Sequence, residues 1–144
     1  MKRRIFTLIW LIALTSGVLR AQMERTIYQV FQIDSVETIQ LDMLGTYELH
    51  YWAGSSVLLE TNIQIWHASP EILNYFIKEG RYAVDADTLS PTTLRLYTRD
   101  RERNPIKNKD RIECVELATA RLFIPDSFVW TTDRKKVMRK EAEE

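Results

Sequence analysis

The sequence predicts an all-β domain, solenoid-like or sandwich-like, with one short helix near 70–75. Three observations carry this. Val57, Leu59, Thr61, Ile63 and Ile65 alternate with Leu58, Glu60, Asn62, Gln64 and Trp66, a period of two that suits a half-buried strand. Further runs rich in β-branched and aromatic residues recur every 8–12 residues or so. Only one stretch opens as a helix should, at Ser69-Pro70-Glu71, with a capping hydroxyl, a proline in the first position and an acid in the first turn.

In chain order, Thr26–Ile33 is rich in β-branched and aromatic residues, and Glu37–Leu41 places Ile39 and Leu41 on one face. Tyr47, Leu49 and Tyr51 alternate with Glu48, His50 and Trp52. An odd loop, Gly54-Ser55-Ser56, would align this strand with Val57–Ile65 as a hairpin, setting Tyr51 against Leu59 and His50 against Glu60. The alternative is a corner at Gly54 between two sheets. The helix is expected to last one or two turns. Tyr75–Lys78 and Arg81–Asp85 then read as strands around a Glu79-Gly80 turn. Leu94, Leu96 and Thr98 give another strand, and Cys114–Ile124 the last long one, ending at Pro125. Within it Val115 and Leu117 have one parity and Leu122 and Ile124 the other, so Ala118-Thr119-Ala120 reads as a bulge. Residues 133–144 read as a charged tail, a frayed helix or disordered.

The N-terminus carries an address. Lys2, Arg3 and Arg4 precede a 10-residue apolar run, Ile5–Leu14, then Thr15-Ser16-Gly17. That order is a secretory signal, and the run is too short to span a bilayer. Ala21 is the small residue before a cut, so cleavage between Ala21 and Gln22 is expected, leaving a β domain over 22–132. Of 20 basic and 20 acidic residues, residues 1–21 take 4 basic and no acidic ones, so the remaining 123 residues carry a net charge of −4. No later stretch is apolar for long enough to cross a membrane, and the balance of charge argues against a nucleic-acid binder.

The stretch Ile39–Thr61 (IQLDMLGTYELHYWAGSSVLLET) resembles the opening of the head GIN domain family of auto-transporter adhesin heads. That family sets a short apolar strand, a glycine, an alternating strand, a second glycine and a further strand in this order. Phe76–Val84 resembles its hairpin around an acidic-Gly turn, and Leu117–Pro125 its strand ending in proline. The resemblance covers about residues 27–130, in a single copy. It implies an exported β domain of the bacterial envelope and supplies no catalytic residues.

Little in the chain suggests a reaction. His50 and His67 are the only imidazoles and lie 17 apart, without the close spacing of a metal pair. No Gly-rich phosphate loop and no G-x-S-x-G elbow occurs. Asp85 and Asp87 read as solvated acids rather than calcium ligands, and Cys114 as a small buried hydrophobe. No cofactor and no metal are expected. Arg99–Arg111 reads as a solvated loop turning at Asn104-Pro105, its second reading being contact with an anionic surface such as lipopolysaccharide or phospholipid headgroups. Trp52 and Trp66 fall on the polar faces of their strands, where aromatics stack on sugars or fill interfaces. Trp52, His50, Glu60 and Trp66 are therefore the candidate binding residues, for an envelope glycan or a protein partner. The rival readings are a hydrolase of envelope polymers, with Glu48 and Glu60 as its carboxylates, and a purely structural envelope subunit.

Overall fold

The computed structural model describes residues 22–133 and 135–141. The expected signal and Ala21 lie outside them; Gln22 is the first described residue and is exposed. Among the described residues there are nine strands and one helix: β1 Met23–Gln32, β2 Thr38–Asp42, β3 Tyr47–Trp52, β4 Ser56–Trp66, α1 Pro70–Lys78, β5 Val84–Ser90, β6 Thr93–Thr98, β7 Val115–Pro125, β8 Phe128–Trp130 and β9 Lys136–Arg139. They form two mixed sheets, one ordered β1-β4-β7-β3 and the other β5-β6-β2-β9-β8. The domain is all-β, and of the two architectures expected it is the sandwich. The inner faces meet over Ile39, Leu41, Val57, Leu59, Leu96, Leu122, Ile124, Phe128 and Val137.

β4 alternates as its sequence demands. Val57, Leu59, Thr61, Ile63 and Ile65 are buried, and every residue between them is half-exposed. It is long enough to run past the second sheet. There a second core forms, in which Ile63 and Ile65 meet Leu73 of α1, Tyr82, Ile106 and Cys114. Helix α1 thus caps the part of the first sheet that the second sheet does not reach.

The expected hairpin of β3 with β4 does not form. β7 lies between them, parallel to β3 and antiparallel to β4, while β4 pairs on its other side with β1. Tyr51 is opposite Ile124, and Leu59 is opposite Leu122. The faces follow the expected parity, but the partners do not. The reason is non-local: β7 offers a paired neighbour to each of the two strands. The Trp52 indole folds back over Gly54, so close that a Cβ there would come within 2.4 Å of Trp52 Cζ2. The indole N–H donates to the Ser56 carbonyl at 3.0 Å. The indole thus closes over the loop that joins β3 to β4.

Three other expectations are corrected. Tyr75–Lys78 belongs to α1, which runs nine residues from its Ser69 cap. Gly80, at φ +80°, ends the helix in a Schellman turn, with Arg81 N–H donating to Phe76 O and Gly80 N–H to Ile77 O. Ala118–Ala120 is no bulge: the β4–β7 register is unbroken from Leu58↔Phe123 to Trp66↔Val115. The parity conflict resolves because Val115 and Leu117 face solvent, while Glu116 points inward to an arginine. Within the expected tail, Lys136–Arg139 is strand β9, placed between β2 and β8, with Val137 fully buried. One inward apolar residue suffices on so short a strand, because both its neighbours are already fixed.

The two seams of the sandwich are closed differently. On the β1–β5 side the Gln29 side-chain amide acts as a peptide group. Its Nε2 donates to Val84 O at 2.8 Å, and its Oε1 accepts from Val84 N–H at 2.9 Å. On the β3–β8 side Tyr51 Oη accepts from Trp130 N–H at 3.2 Å. Beside it lies an open cleft of about 580 Å³ lined by Tyr47, Leu49, Trp130, Thr131 and Thr132.

Candidate functional site

The outer faces of the two sheets differ. On the β5-β6-β2 side charges are matched: Asp87 pairs with Arg95, Asp85 with Arg99 and Asp42 with Arg101. Arg99 holds the Asp85 carboxyl below its ordinary range. Asp85 and Asp87 are therefore occupied by arginines. Among the described residues no group of three or more His, Cys, Asp or Glu side chains gathers as a metal site.

The outer face of the β1-β4-β7-β3 sheet has a different composition. The strand register arranges it in rows. One row runs Val30, Leu58, Phe123, His50, and the next Tyr28, Glu60, Arg121, Glu48. Tyr28 and Val30 are exposed. The His50 ring stacks on Phe123 with centroids 5.3 Å apart, and Trp52 tilts against the same ring at 6.4 Å. In the polar row Arg121 donates through Nε and Nη2 to one carboxylate oxygen of Glu60. That hydrogen bonding holds the guanidinium above its usual range. Glu48 lies 3.2 Å from His50 Nε2. Beside this row is a groove of about 330 Å³ lined by Thr46, Glu48, Glu60, Asn62, Thr119 and Arg121 among others.

Of the sequence candidates, His50, Trp52 and Glu60 do share this face. Trp52 is not beside Leu58, because Phe123 of β7 stands between. Trp66 is elsewhere. It pairs with Val115 at the far end of β4, eight residues beyond Leu58, or about 27 Å along the strand. Arg121 and Phe123 were not singled out in the sequence, since only the non-local β7 insertion brings them between β3 and β4. Period-two parity does place both outward, but gives no partner.

The same insertion puts Glu48 and Glu60 in one row, on either side of Arg121. Two strand spacings separate their backbones by about 9.6 Å, near the span that inverting glycosidases use. The chemistry does not follow from the spacing. A general acid has to be kept protonated by an apolar pocket; Glu48 is 70% exposed and Glu60 is bound to a guanidinium. The row is suited to hydrogen bonding, with carboxylate, guanidinium, amide and hydroxyl groups set between aromatic rings.

Comparison with protein-family models, with curated proteins and with solved structures finds no match to this chain.

Proposed function

We propose that this chain is an exported, non-enzymatic β-sandwich domain of the bacterial envelope, and that it binds a glycan on the outer face of the β1-β4-β7-β3 sheet. The observation that carries the reading is the pair of rows on that face with their immediate neighbours Trp52 and Asn62: rings at Tyr28, Phe123, His50 and Trp52 beside Glu60, Arg121, Glu48 and Asn62. Rings offer the apolar faces of sugars a platform, and the polar groups satisfy hydroxyls. Export is supported by the Lys2-Arg3-Arg4 start, the Ile5–Leu14 run and Ala21, and the envelope setting by the resemblance of Ile39–Thr61 to the head GIN family.

Export is tested by N-terminal sequencing of the mature protein, which should begin at Gln22 or within a few residues of it; an intact Met1 on a cytoplasmic product refutes it. Binding is tested by titrating soluble peptidoglycan fragments and lipopolysaccharide-derived oligosaccharides while following NMR shifts. Tyr28→Ala and His50→Ala should each weaken binding by about tenfold or more, with melting temperatures nearly unchanged because both side chains are substantially exposed. Trp52→Ala is a poorer probe, since its indole also donates to the Ser56 carbonyl across the Gly54 loop. If Trp130→Ala in the seam cleft abolishes binding and the outer-face variants do not, the assignment of the face is wrong. If no glycan binds, a protein partner becomes the leading reading.

A further inference from the structure

Four strands form the edges of the two sheets, β1 and β3 of one and β5 and β8 of the other. An open edge presents unpaired N–H and C=O groups, and proteins blunt it with bulges, short strands, prolines or charges. Three of these edges are blunted. Gln29 of β1 takes both backbone groups of Val84 of β5. Arg25 stands among the inward positions of β1, opposite Ile63. The β5 register is broken between Thr88 and Ser90, and β8 is three residues long. β3 has none of these devices. Its register with β7 runs unbroken from Tyr47↔Ala120 to Trp52↔Pro125. It holds no proline, lysine or arginine, and its one formally charged side chain is Glu48.

Hydrogen bonds at the two ends of β3 fix which groups are free. Ala120 N–H donates to Thr46 O at 3.3 Å, and Asp126 N–H donates to Trp52 O at 2.9 Å. Successive residues of a strand turn their backbone groups to opposite edges. Thr46, Glu48, His50 and Trp52 therefore face β7, and Tyr47, Leu49 and Tyr51 face outward. No strand among the described residues pairs with them. Beside them lies the seam cleft walled by Trp130, Thr131 and Thr132.

A second, antiparallel copy of β3 fits this edge best in one register. In a two-fold pair the outward residues must meet one another, which lets the axis pass at Glu48, Leu49 or His50. At Glu48 it would set that carboxylate against itself. At His50 it would set imidazole on imidazole and push Tyr47 beyond the end of the partner strand. At Leu49 every outward residue is paired: Tyr47 lies opposite the partner's Tyr51, and Leu49 lies opposite the partner's Leu49. On the outer face Glu48 then lies opposite the partner's His50. Aromatic pairs and acid–base pairs placed directly opposite each stabilise an antiparallel ladder. Within one chain His50 Nε2 lies 3.2 Å from Glu48 Oε2, which leaves Nδ1 and Oε1 to meet the partner. We propose that the domain forms a two-fold dimer through β3 with its axis at Leu49, joining two four-stranded sheets into one of eight strands. The contact is short, so association is weak and reversible. The dimer does not rest on the glycan reading, since its evidence is the strand edge and not the outer face.

Sedimentation velocity of the mature protein over a wide range of concentration tests this, and should show monomer passing to dimer. His50→Arg sets a permanent cation opposite the partner's Glu48 and should tighten the dimer. His50→Glu sets like charges there, twice by symmetry, and should weaken it by about tenfold. The position is partly exposed, so circular dichroism should be unchanged. Leu49→Cys should give a disulfide-linked dimer on mild oxidation, because Cα atoms of a hydrogen-bonded pair lie about 5.5 Å apart. Tyr47→Cys alone should not, since its two copies would be about 14 Å apart along the strands. Tyr47→Cys mixed with Tyr51→Cys should crosslink. The native thiol, Cys114, is buried, so the unaltered chain serves as the blank. Monomer at every concentration, a dimer that Leu49→Cys does not crosslink, a crosslink through Tyr47→Cys alone, or a dimer untouched by His50→Glu overturns the proposal. Protection of the Leu49 amide from hydrogen exchange by an envelope extract, while the protein itself stays monomeric, assigns the edge to another protein's strand and overturns it too.

Discussion

Replacing Glu116 by alanine is expected to destabilise the domain by about 3 kcal/mol, the lower end of the cost of breaking a buried ion pair. Glu116 accepts from Arg81 twice, Nε at 3.1 Å and Nη2 at 2.5 Å, and from Tyr82 Oη at 2.6 Å. Arg81 is only 4% exposed. Its remaining partners are the Asn104 carbonyl at 2.9 Å and Asp100 at 3.6 Å, too few for a guanidinium out of water. Removing the carboxylate strands that charge and the buried Tyr82 hydroxyl together. Urea denaturation at neutral pH measures the loss. The double variant Arg81→Met, Glu116→Leu should cost less than Glu116→Ala alone, because no buried charge is then left unpaired, Asp100 being 36% exposed; if it costs more, the pair itself contributes net stability.

The same group sets an acid limb. Burial pushes the Glu116 carboxyl up, but hydrogen bonds from Arg81 and Tyr82 and the Arg81 charge outweigh it, and the carboxyl lies below its ordinary range. A carboxyl lowered in the folded state contributes stability that is complete above its unfolded value, about 4.3, and is lost as pH falls through the folded value. Tyr82, raised by burial and then by its bond to Glu116, remains a donor throughout. Glu116→Gln should therefore flatten the loss of stability below about pH 4 relative to the unaltered chain. An unchanged acid limb would mean that other carboxyls dominate it.

This network shows where sequence reading succeeds and fails. β4 was legible because five inward residues in strict alternation outvote any local accident. Ser69-Pro70 was legible because capping chemistry is local. Glu116 was not, since Val115 and Leu117 are apolar yet face solvent, and the acid between them faces inward to an arginine 35 residues away. Tyr75–Lys78 has a composition that suits a strand as well as the helix it continues, and only the Gly80 turn shows that the helix runs to its end. The candidate face was half legible: parity put His50, Trp52 and Glu60 on one side. The pairing that adds Arg121 and Phe123 depends on β7, more than 50 residues later, and no local pattern encodes it.

Strand β9 carries the other large effect, in a segment whose composition resembles a tail. Phe128→Ala should cost about 3–5 kcal/mol, and Val137→Asp should prevent folding at ordinary temperatures. Both side chains are essentially without solvent contact. β9 pairs with β2 through Ile39↔Val137 and with β8 through Trp130↔Val137, so a carboxylate at 137 would lie in the middle of the sheet with no cation placed to meet it. Arg139 adds a second tie. Its guanidinium lies 4.7 Å from the Phe128 ring centroid and donates to the carbonyls of Val36 and Ile33. Truncation after Asp133 removes all of this and leaves the inner edge of β2 unpaired, which favours association as well as unfolding. Far-UV circular dichroism and urea melts of the three variants distinguish the cases. A solvated tail predicts no change for Val137→Asp or for the truncation, whereas an interior strand requires that both lose the cooperative transition, with Phe128→Ala retaining it at a lower midpoint.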